Sequence, residues 1–360
     1  MILKFKEVLP GLFLTIIIYV FSYFLSIFFG TVLLGYEKSP ISNILFAILI
    51  GIIIGNTFNL NERINLGLNF SLKYILRLGI ILMGIRLSLS DVFIYGASSI
   101  PLVILCISSV VLVVIIFGKF SRISTRLSYL IAVGTSICGA SAIVATAPVI
   151  NAKKAEITYA IANITIIGVI VMFLYPYIAN YIFVKDPITI GLFLGTSIHE
   201  TAQVIASGLI YEQQYGESIV LEIAAVTKLV RNTFLLIMIP MVIYFYNSKN
   251  KNSYSVSKIF PLFIFGFLFM SLVRSLGDYY FNSYGSVPNI EIWEYIIDVI
   301  ITLSGVSLGV AMASLGLMTN IKEILKMGYK PFFIGLIAAS TVGCVSICAL
   351  KIFIWFEIFV

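Results

Sequence analysis

The feature that most limits what this chain can become is a succession of apolar runs, each long enough to cross a lipid bilayer. A hydrocarbon core of about 30 Å takes about 20 apolar residues in a helix. Eleven segments reach that length, near residues 8–34, 41–58, 64–87, 92–118, 127–150, 157–183, 187–210, 217–246, 258–281, 292–318 and 331–356. The connectors are short, so residues 1–360 read as one transmembrane domain, all-α and polytopic. Composition agrees: 60% of residues are hydrophobic and 11% charged, whereas a soluble domain needs roughly a quarter charged to keep its surface wet. The first run follows Lys4 and Lys6 as a signal peptide would, but its length and its lack of a small-residue cleavage site make it a retained helix.

The net charge of +7 is spread over short loops with no basic stripe interleaved with aromatics, so it speaks for orientation in a membrane rather than for nucleic acid. If all eleven segments cross, thirteen Lys and Arg fall on the N-terminal side and five opposite, which places the N-terminus in the cytoplasm. The other five, Lys73, Arg77, Lys228, Arg231 and Lys351, lie within apolar segments. Lys73 and Arg77 sit near a segment end and are expected to snorkel.

Segments 127–150 and 187–210 differ from the rest, carrying glycine and small polar residues at their middles. Gly134-Thr135-Ser136-Ile137 in one matches Gly195-Thr196-Ser197-Ile198 in the other. Irregular backbone at mid-depth is tolerated only when buried in protein or lining a wet cavity, so both segments are expected to be discontinuous helices or re-entrant hairpins. As hairpins they would move Lys153 and Lys154 inside and Lys185 outside, raising the charge bias to fourteen against four. They would then enter from opposite faces, the inverted-repeat pattern of secondary transporters. A weaker similarity pairs Gly84–Phe93 with Gly316–Leu325.

The midpoints of these segments and of segment 217–246 coincide in depth, which makes a shared site the economical reading. Lys228 and Arg231, three residues apart on one helix face, would cost roughly 5–7 kcal/mol at the bilayer centre if left unpaired. Their partner is either a carboxylate on another helix, Glu200 first, or an anion from solution; Glu222 points from other faces of the same helix. Glu200 and the single histidine, His199, are the candidate ion-coupling pair. Thr135, Ser136, Cys138, Gly139 and Ser141 are expected to offer hydroxyls and N–H groups to an anion at the start of a half-helix, with Gln203 a further substrate-binding candidate and Asn163 a weaker one. For each there is a bland alternative: a structural ion pair, a packed histidine, small-residue helix packing.

No enzyme is expected. Walker A, His-Glu-x-x-His and Gly-x-Ser-x-Gly motifs are absent, and one histidine supplies no metal cluster. Cys106, Cys138, Cys344 and Cys348 all lie in apolar runs, where small-residue packing is the expectation, Cys344 and Cys348 included. No cofactor is implied. Gly51 and Gly55 form a Gly-x-x-x-Gly helix-contact pattern.

Gly134–Ile150, Gly195–Val204 and Lys228-Leu-Val-Arg231, with Gly84-Ile-Arg-Leu-Ser-Leu-Ser-Asp91 and the late Gly316-Leu317, resemble the YeiH family of bacterial inner-membrane proteins, which carries a sulfate-exporter label. The resemblance covers nearly the whole chain. It implies the fold of sodium/proton antiporters and bile-acid symporters, with inverted repeats and crossed discontinuous helices, and a place in the bacterial inner membrane.

The function expected is therefore secondary transport of a small anion, sulfate or an organosulfonate, coupled to H⁺ or Na⁺. Alternating access would come from one bundle rocking against another. One rival is a cation/proton antiporter using Glu200; another, from a different class, is a non-transporting sensor or scaffold. Expected partners are the anion, the coupling ion and the bilayer, with no nucleic acid; a homodimer is left open.

Overall fold

The structure, a computed structural model, describes residues 2–33, 43–246, 262–284, 287–320 and 329–355. Loop residues Lys38, Lys249, Lys251, Lys258, Lys322 and Lys326, and the end of the Gly316–Leu325 similarity, lie outside them. Among the described residues every regular element is helical. Among the described residues seven helices are long and apolar enough to cross a membrane: Glu7–Ile27, Glu62–Arg86, Leu89–Phe120, Lys154–Ile182, Ser218–Tyr246, Ile290–Met318 and Phe332–Trp355. The other expected segments become a 15-residue helix Asn43–Thr57, two broken helices, and the more polar helix Phe263–Tyr284, which carries the Arg274–Asp278 ion pair.

The chain divides into two compact units: residues 1–94, 209–218 and 262–320, and residues 95–208, 219–261 and 321–360. In the first, Ile18, Ala47, Leu68, Ala313 and Leu317 form a buried core. Small residues set its spacing, because without a side chain two helix backbones can nearly touch. A Cβ on Gly51 would fall 2.7 Å from Ala313 O and 2.9 Å from Gly316 Cα, so the Gly51/Gly55 pattern does pack one helix against another, here Val287–Met318. Asn56 Nδ2 adds a bond to Thr319 O, 2.8 Å. Lys73 and Arg77 are exposed, over the rings of Tyr74 and Phe263.

In the second unit the helix starts are written in the sequence. Ser124 Oγ caps Thr125–Ser136 by accepting from Leu127 N, and Asp186 caps Pro187–Ser197 by accepting from Ile188 N and Thr189 N, with Pro187 at the first position. Cys344 and Cys348 are exposed on helix Tyr329–Trp355 rather than packed inside, a correction to the expected small-residue contact: the i,i+4 face they share points away from the core.

Candidate functional site

Segments 125–150 and 187–215 both double back. In the first, helix Thr125–Ser136 breaks at Ile137–Gly139 and resumes as Ala140–Thr146. Ser124, before it, donates to Glu156 Oε1 at 2.5 Å, so the chain has returned to where it set out. In the second, Gly191 and Gly195 pack on Ile223 and Thr227, side by side in the same order, while Thr201 bonds Asn232 and Gly208 packs on Leu221, in reverse order. The limb Pro187–Ser197 and the stretch 201–208 therefore run opposite ways along residues 219–233. The two hairpin bases lie at opposite ends of helix Lys154–Ile182, next to Lys153 and Asp186.

The hairpin tips meet. Gly139 has φ 72° and ψ −130°, a region closed to other residues, and a Cβ there would lie 3.3 Å from Glu200 Cβ. Each first limb ends on Gly-Thr-Ser, with Ile137 or Ile198 as its cap. A helix end leaves its last carbonyls without intrahelical partners and carries about half a negative charge. Here two such ends converge.

Lys228 and Arg231, both 0% exposed, satisfy them. Lys228 Nζ donates to Ile137 O (2.8 Å), Ile198 O (2.9 Å) and His199 O (2.5 Å), which uses all three of its protons. Arg231 donates through Nε to Ser136 O (2.7 Å), through Nη1 to Thr196 O (2.6 Å) and Ile198 O (3.0 Å), and through Nη2 to Thr135 O. Each cation thus binds both tips. The expectation of a carboxylate partner is corrected: their hydrogen-bond partner is main chain, and among the described residues no ion pair joins Glu200 to either.

A second correction follows. Thr135 and Ser136 close a half-helix instead of opening one, and they present carbonyls to Arg231 rather than hydroxyls to a ligand; Ser136 Oγ is turned back onto Val133 O. Sequence reasoning missed the carbonyls of Ile137, Thr196, Ile198 and His199. The available signal was that each Gly-Thr-Ser-Ile break must orphan carbonyls that a buried cation can meet.

The remaining candidates separate by access. Ser141 is exposed, and Ala140, Glu200 and Thr201 are half-buried; these form the less buried rim of the tips. Cys138 is buried beside them, at 8%. Deeper lie His199, with both ring nitrogens unpartnered, and Gln203, whose Nε2 donates to Thr165 O (3.1 Å) while its Oε1 is unpartnered. Buried polar groups rarely stay unpaired, so these positions have bonding capacity to spare. Asn163 is buried against Gly335.

Residues 10–335 match the family described as Conserved hypothetical protein 698. The UPF0324 membrane protein SAG1125 of Streptococcus agalactiae is 34% identical over 346 residues, covering 95% of this chain and 96% of that protein. The UPF0324 membrane protein FN0533 of Fusobacterium nucleatum is 34% identical over 312 residues, 85% and 90% of the two chains. The UPF0324 inner membrane protein YeiH of Escherichia coli K12 is 33% identical over 299 residues, 81% and 80%. No solved structure matches the chain.

Proposed function

We infer a transport role from one premise: the chain belongs to the Conserved hypothetical protein 698 family, the UPF0324 membrane proteins. The reading is of a proton-coupled secondary transporter for a small anion, sulfate or an organosulfonate, in the bacterial inner membrane, with no catalytic chemistry. The observation that carries it is the charge balance at the hairpin tips. Two buried cations face two carbonyl ends worth about half a negative charge each, which leaves roughly one positive charge. Glu200 ionised cancels it; Glu200 protonated leaves it for an anion. An anion at the rim of Ser141, Glu200 and Thr201 would therefore enter with a proton, and His199 beside it would pass that proton on.

Two re-entrant hairpins from opposite faces, meeting at mid-depth, support an inverted-repeat transporter of the antiporter and bile-acid symporter kind. With the hairpins removed from the count of eleven, nine segments cross and the N-terminus stays cytoplasmic.

Flux in proteoliposomes tests the reading. Wild-type protein is expected to move sulfate or a sulfonate faster when a proton gradient is imposed. Glu200→Gln, fixed in the neutral form, is expected to keep anion exchange and lose its response to the gradient. If Glu200→Gln abolishes all flux, and the wild type moves Na⁺ or H⁺ without any anion, the cation/proton antiporter reading replaces this one. No flux of either kind leaves a sensor or scaffold.

A further inference from the structure

A groove of about 600 Å³ runs along the second unit, between helices Leu89–Phe120, Thr125–Ser136 and Leu235–Tyr246. Its lining is almost wholly apolar, from Ile104 to Ile115 on one wall and Met238 to Phe245 on another. It opens outward past Leu112, Ile237 and Phe245, each more than half exposed. From Ile104 to Ile115 is about 17 Å of helix, close to the roughly 15 Å depth of one hydrocarbon leaflet.

The stripes that line it continue into positive charge. On the first helix the groove positions 104, 107/108, 111/112 and 115 recur once per turn on one face, and the next turn of that face brings Lys119. On the second, Tyr129, Ala132 and Val133 run back to Arg126. Arg122 stands in the turn between the two helices, at φ 53°, a position glycine fills more readily. Lys119 and Arg122 are exposed, and Arg126 Nε is buried without a hydrogen-bond partner. The neighbouring carboxylate, Glu156, accepts from Ser124 Oγ and the Lys153 amide and stands within electrostatic reach of Arg126, making no hydrogen bond to its Nε.

We propose that this groove holds one anionic phospholipid, an acyl chain lying against the apolar wall and the headgroup phosphate on Lys119, Arg122 and Arg126. Basic pockets at the ends of membrane helices recognise such headgroups, each charge contributing about fivefold in affinity near a membrane surface. The site is separate from the hairpin tips, and its test does not depend on transport.

The test is thermal stability of the purified full-length protein in nanodiscs or detergent, titrated with phosphatidylglycerol, phosphatidylcholine or glycerol 3-phosphate. Phosphatidylglycerol is expected to raise the midpoint where the other two do not. Arg122→Gln and Lys119→Gln, both at exposed positions that folding tolerates, are each expected to weaken that response about fivefold, and Leu112→Trp, which fills the groove from outside, to abolish it. Equal shifts with phosphatidylcholine, a full shift with glycerol 3-phosphate, or responses unchanged in all three variants would overturn the proposal. So would efficient cross-linking of Leu112→Cys between two copies in phosphatidylglycerol, since a second copy would then cover the groove.

Discussion

Lys228 and Arg231 were conspicuous in the sequence because an uncompensated cation in hydrocarbon is expensive; what offsets them was hidden because main-chain carbonyls carry no residue-type signal. The structure turns the pair into a clamp across two helix ends. Lys228→Met would leave the carbonyls of Ile137 and His199 without their donor, while Ile198 O keeps Arg231, at about 1–3 kcal/mol for each buried group that stays unmet. We expect it to destabilise the protein by about 2 kcal/mol or more, read as a lowered thermal midpoint even without substrate. Arg231→Lys keeps the charge but not the planar fork that spans four carbonyls, so it should recover only part of the loss seen in Arg231→Met. A variant pair that lost flux at wild-type stability would instead return these residues to direct ligand binding. Gly139→Ala tests the tip itself: a positive φ and a Cβ 3.3 Å from that of Glu200 predict about 2 kcal/mol of destabilisation. Gly305→Ala, with nothing within 4 Å of its Cβ, is the control, expected to be neutral or slightly stabilising.

At the scale of elements, the repeated Gly-Thr-Ser-Ile was legible, and so was the conclusion that its segments are irregular. Whether they cross or return was not, because that depends on pairings such as Ser124 with Glu156 that are 32 residues apart. The direction of the half-helix that carries Thr135 and Ser136 was misjudged for a related reason. Small polar residues suit a helix start, and only the cap at Ser124, well upstream, reveals that the start has already passed. Gly191 and Gly195, one turn apart, also carried a signal: they seat the second hairpin on the cation helix. A Cβ on Gly195 would lie 2.5 Å from Thr227 Cβ and 2.7 Å from Ala224 O. Gly195→Ala should therefore lower stability by about 1–3 kcal/mol through overpacking. Thr227→Gly should relieve it only in part, because the backbone oxygen remains. A double-mutant cycle measures that coupling, and full rescue would mean the limb is not held against the helix backbone.

For the whole molecule, the succession of apolar runs was enough to establish a helical membrane protein, because length and hydropathy alone decide what a bilayer accepts. Topology turns on fewer residues. Lys154 and Lys185 lie at opposite ends of the helix Lys154–Ile182 and just beyond it, and the two topologies assign them opposite sides. Eleven crossings put Lys154 outside and Lys185 in; nine crossings with two hairpins reverse both. The doubled-back geometry and the better charge bias favour the second. In a variant lacking Cys106, Cys138, Cys344 and Cys348, a cysteine at position 185 should react with a membrane-impermeant maleimide in intact cells. One at position 154 should react only after permeabilisation. The opposite pattern would mean that both hairpins span, and the site at their tips would then have to be rebuilt from two crossing helices.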